Sequence, residues 1–126
     1  MNHQPPAHAA APHAIEGAWA AVRLEYAGET APDMVVEKTE IVFRNGNHTV
    51  RFGGETTFHG SYTLTENTLL IEGRRTPDDA PMTIRGIYQL TGNRLRICLG
   101  TDGTAPETFA TKTGAPHYLG TYRRVA

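Results

Sequence analysis

Four shortages narrow the sequence before any motif is considered. The chain of 126 residues carries a single cysteine, Cys98, which excludes an internal disulfide and any multi-cysteine metal site. It has no excess of one charge: 12 Lys+Arg against 13 Asp+Glu leave a net charge of -1. That balance offers no basic footprint for nucleic acid and no polybasic membrane patch. No apolar run approaches the roughly 20 residues of a membrane-crossing helix. Finally, Gly-x-Ser-x-Gly, the P-loop and Gly-x-Gly-x-x-Gly are all missing, which argues against common hydrolases, nucleotide-binding enzymes and Rossmann cofactors. The composition implies no cofactor. Hydrophobic residues at 39% still suffice for one folded core, so a single domain is expected.

Residues 1–14, MNHQPPAHAAAPHA, combine proline, alanine and histidine with little to bury, and the expectation is a disordered amino-terminal arm followed by a domain at 15–126. The arm has neither the charged start nor the apolar stretch of a secretory signal, so with Met1 as the native start the expected location is cytoplasmic. His3, His8 and His13 fall every five residues, a spacing that shares no helical face. Met1-Asn2-His3 has the form of an amino-terminal Cu(II) or Ni(II) chelate, against the simpler reading of a solvated tail.

Beyond residue 14, short segments rich in Val, Ile, Thr, Tyr and Phe alternate with turn dipeptides such as Asn45-Gly46 and Gly92-Asn93. This predicts strands at 17–26, 39–44, 48–52, 56–64, 68–73, 82–90, 94–99 and 117–124, a very short ninth at 107–110, and one helical turn at 31–36 opened by Pro32. Period-two alternation puts Met82, Ile84, Gly86, Tyr88 and Leu90 on one face, and Phe58, Gly60, Tyr62 and Leu64 likewise; Leu95, Ile97 and Leu99 oppose Arg96 and Cys98. Eight successive strands with one apolar face close most economically as a single antiparallel up-and-down barrel. Tight links at 45–47, 65–67 and 91–93 share one end; the links at 27–38, 53–55, 74–81 and 100–116 share the other, and three of those four are long. The expected shape is a cup, pinched at one end. The competing expectation is a lumen filled by side chains.

Gly17-Ala18-Trp19 at the start of the first strand resembles the Gly-x-Trp signature of lipocalins, in which the Trp plugs the closed end and packs on an Arg of the last strand. By strand counting, Arg123 or Arg124 takes that position. More of the chain, through GAWAAVRLEYAG, IVFRNGN, GSYTL, GIYQL, LRICL, PETF and YRRV, is similar to a family of uncharacterised small bacterial domains, first catalogued in planctomycetes, with lipocalin-like character. The Arg of that family's Arg-Pro-x-x-Phe stretch is Ala105 here. The resemblance implies the barrel and carries no activity.

Three candidate functions remain. The first is non-catalytic binding of a small apolar molecule in the cup, with Trp19, Phe52, Phe58, Tyr62 and Tyr88 as walls and floor. Arg23 is the candidate anchor if it points inward beside Glu25; the favoured alternative is a bulge after Trp19 that leaves both in water. The second is a cofactor-free isomerase or cyclase working by shape, with a Tyr or Arg polarising a carbonyl. The third is a protein-interaction module. The domain histidines His48, His59 and His117 fall on different ends and faces, a poor metal set; haem ligation by His117 is the one metal-centre alternative. Cys98 reads as an inert thiol.

Overall fold

The structure, a computed structural model, describes residues 14–125. The expected arm, with its three histidines, lies outside the described residues apart from Ala14. The strands among the described residues are β1 (Gly17–Tyr26), a two-residue β2 (Glu29–Thr30), β3 (Thr39–Arg44), β4 (Asn47–Phe52), β5 (Glu55–Leu64), β6 (Thr68–Arg74), β7 (Met82–Thr91), β8 (Arg94–Gly100) and β9 (His117–Arg124), and a short helix, α1 (Asp33–Lys38), lies between β2 and β3. Neighbours in sequence pair antiparallel from β3 to β9, and β1 pairs with both β3 and β9, so eight strands close a barrel. The β3–β4 turn shows why these boundaries are sharp. Asn45 (φ 53°) and Gly46 (φ 81°) both take the left-handed conformation that a two-residue hairpin of matching twist requires.

Two local expectations fail. Residues 107–110 form no strand. Residues 101–116 fold back over the outer wall, where Thr111 bonds Glu25, the Cys98 thiol lies 3.7 Å from the Ala110 carbonyl, and Arg96 stacks on Phe109 at 4.2 Å. This covering loop buries Cys98 although it sits on the outer face. The helix starts two residues late, because Pro32 holds an extended ψ of 155° and caps the helix from outside.

A bulge interrupts the β1–β9 register between Ala21 and Arg23. It lets Trp19 and Leu24 both face the core and turns Arg23 and Glu25 outward. Past the bulge β1 leaves β3, and α1 covers the seam: Ala31 donates its N–H to the Leu24 carbonyl at 2.9 Å, and Val35 and Val36 pack on the core.

The closed end is filled. Trp19 is fully buried, donates its indole N–H to the Ile15 carbonyl at 2.8 Å, and lies under the Arg124 guanidinium at 4.3 Å. Arg124, one of the two arginines expected there, also donates to the Glu16 carbonyl at 2.8 Å and the Ala14 carbonyl at 2.6 Å. Phe43, Tyr62, Leu69 and Leu95 complete this buried layer.

Candidate functional site

The other half of the barrel is not filled. A cavity of about 400 Å³ opens toward the end bearing the longer links. Its walls are aliphatic and aromatic: Ile41, Val50, Phe58, Ile71, Ile84 and Ile97. Met82 and Leu99 continue the apolar wall, and Thr57, Arg75 and Thr101 stand toward the mouth. The lumen is therefore a cup with a packed base, between the two sequence expectations of open and filled.

Three polar side chains enter this cavity: His48, Tyr118 and Tyr122. A ladder of rings leads to His48 from the closed end. Phe43 meets Tyr62 edge-on at 4.9 Å, and the His48 ring lies 4.7 Å from Phe43 and 6.2 Å from Phe58. His48 is 4% exposed, and its Nδ1 is buried with no hydrogen-bond partner. Burial, helped by the nearby His59, pulls its pKa down to about 4, so the imidazole is neutral at physiological pH. Tyr118 and Tyr122 lie two pleats apart on β9, and their hydroxyls meet at 3.2 Å. Burial raises both pKa values, Tyr122 well above its ordinary value. The Tyr122 ring folds over Gly120, where an added Cβ would meet it at 2.5 Å.

Of the six candidate ligand contacts named from sequence, Phe58 alone lines the cavity. Trp19 is the plug beneath it. Tyr62 faces inward but sits lower, its hydroxyl donating to the Glu16 carboxylate; burial and then that carboxylate raise its pKa. Tyr88 is a correction: its hydroxyl donates to the Thr65 carbonyl at 3.2 Å, securing the 65–67 turn at the closed end. Arg23, as the favoured bulge reading has it, is exposed, pairs with Glu25 at 3.1 Å, and does not line this cavity. Phe52 is 41% exposed and lies outside the lumen, in a groove it shares with Tyr26 and Val35. Its ring stands 5.9 Å from the Lys38 ammonium. His59 bonds Thr49 on the outer face, and His117 lies beside the 104–112 loop.

The polar groups that sequence reasoning missed were within its reach. His48 alternates with Val50 and lies across from Phe43. Tyr118, Gly120 and Tyr122 share one face of β9 by the same alternation.

No helix among the described residues is long and apolar enough to cross a membrane. No protein-family model, curated protein or solved structure matches the chain.

Proposed function

We propose that this chain binds a small, largely apolar molecule in the open half of its barrel, without catalysing a reaction. The observation that carries this reading is the apolar cavity of about 400 Å³, open at one end and sealed at the other by Trp19 and its neighbours. Its volume falls in the range of about 300–1,000 Å³ typical of small-molecule sites. Apolar walls supply affinity, and the few polar groups supply orientation. The resemblance to lipocalin-like bacterial domains is part of the same proposal, supported by the Trp19–Arg124 stack.

A cofactor-free isomerase is the second reading, favoured by the Tyr118–Tyr122 hydroxyl pair inside the same cavity. Paired hydroxyls in an apolar pocket polarise a carbonyl more strongly than they would in water. A protein-interaction module is less well supported, because it predicts a filled lumen.

Native mass spectrometry of the protein purified from its own host is the direct test. A co-purifying small molecule that shifts the methyl resonances of Ile84 and Ile97 supports the cup. A ligand-free protein whose lumen methyls are unmoved by any small apolar compound refutes it.

A further inference from the structure

The ligand's chemistry follows from what the cup presents, once the cup is taken as a ligand site. At the roughly 30 Å³ that a water-sized group occupies in a liquid, about 400 Å³ holds about a dozen non-hydrogen atoms.

The polar groups point to one kind of partner. His48 lines the cavity, and its Nδ1 is sealed without a hydrogen bond. The neutral ring holds its proton on one nitrogen, and a sealed N–H without an acceptor is the rarer and costlier orphan. The tautomer so assigned keeps a bare Nδ1 and puts the proton on Nε2 of this cavity-lining ring. In the tyrosine pair one hydroxyl donates to the other, which leaves one O–H without an acceptor. The cup thus offers two unused donors, from His48 and from the tyrosine pair, and no cation among its apolar walls. Arg75 stands at the exposed mouth.

We propose that the cup selects an uncharged carbonyl compound of about a dozen non-hydrogen atoms, whose oxygen accepts a hydrogen bond from His48 Nε2–H. This rests on the cup reading above. Apolar walls bury the carbon skeleton, and the donors replace the water that the carbonyl gives up. Without them the buried oxygen would be unpaired.

The test uses three probes of similar size: acetophenone, cumene and benzoate, titrated into the wild-type protein and His48→Leu by methyl and imidazole ¹⁵N NMR. His48→Leu should weaken acetophenone binding by about tenfold, as for loss of one hydrogen bond, and change cumene binding by no more than about twofold. In the wild-type protein, acetophenone should shift the His48 Nε2 resonance and cumene should not. Should His48→Leu fail to fold, that wild-type ¹⁵N comparison decides alone. Equal losses for acetophenone and cumene, or an unmoved Nε2 resonance, overturn the assignment while the cup reading stands. Tighter binding of benzoate than of acetophenone also overturns it, in favour of an anion held at Arg75. Failure of all three probes to bind the wild-type protein overturns the cup reading, and the assignment with it.

Discussion

Replacing Trp19 by alanine tests the base on which the cup stands. The side chain is fully buried, and removing a large buried aromatic costs about 3–5 kcal/mol. The upper part of that range is expected, for two reasons. The Ile15 carbonyl loses the indole N–H at 2.8 Å, and Arg124 loses the ring 4.3 Å beneath it. Arg124 also holds the carbonyls of Ala14 and Glu16, so its displacement loosens the entry into β1. Against a total stability of about 5–15 kcal/mol, this is a third or more of the whole. For a chain of 126 residues it corresponds to a fall in Tm of about 10–20 °C. Urea unfolding should be followed by far-UV circular dichroism, because the mutation removes the chain's one tryptophan. Trp19→Phe, which keeps a ring under Arg124 but loses the N–H donor, should cost about 1–2 kcal/mol. A loss below about 1 kcal/mol for the alanine variant would show that the closed end is not sealed by this residue.

Three further outcomes are expected. Because burial lowers His48 to about 4 from an ordinary 6.5, the unfolded chain takes up this proton first on acidification. Its contribution is complete above pH 6.5 and is lost as pH falls toward 4, on the order of 3 kcal/mol in all; urea titrations of His48→Leu should lack this slope, and identical slopes would contradict a buried neutral imidazole. Cys98, buried under Ala110 with its pKa raised by burial, should react with a disulfide reagent only on unfolding; rapid labelling of the native protein would mean the 101–116 loop does not cover it. Arg23→Ala, which removes an exposed ion pair with Glu25, should change stability by no more than about 0.5 kcal/mol and leave probe binding intact; a loss of binding would return Arg23 to the site.

Strand positions were legible because each strand is bounded by residues with few alternatives, as Asn45-Gly46 shows, and because alternation fixes which side faces in. Depth along the barrel was not. Tyr88 and Tyr62 do face inward, but alternation does not say how far each lies from the mouth. That depends on the stagger between strands. In the closed barrel Tyr88 falls opposite Ile97 and level with the 65–67 turn, so its hydroxyl finds the Thr65 carbonyl instead of a ligand. His48 lies close to the Asn45-Gly46 turn, yet its ring packs on Phe43 and lines the lumen. The outer loop was illegible for a different reason. Its anchors, Glu25 to Thr111 and Arg96 to Phe109, are separated in sequence and follow no period.

The same strand pairing explains why a chain this short leaves a cavity at all. Gly60 of β5 lies opposite Gly73 of β6, and Gly86 of β7 opposite Leu99 of β8. A Cβ at Gly60 or Gly86 would run into a carbonyl of the neighbouring strand, of Glu72 or Cys98 respectively. These glycines therefore do not create the void; they let neighbouring backbones approach where the sheet coils tightly. The closed end spends its bulk on Trp19, Phe43 and Tyr62. Above them, Thr57 and Thr101 at the mouth are too short to span it, and Tyr122 lies back across Gly120. The lumen stays open above that packed base, and the His48 ring lines the opening with no internal partner for its Nδ1. An apolar residue at position 48 would remove the cost of that orphaned nitrogen. Under the proposed binding role, that cost is offset by the histidine's orientation of a bound ligand.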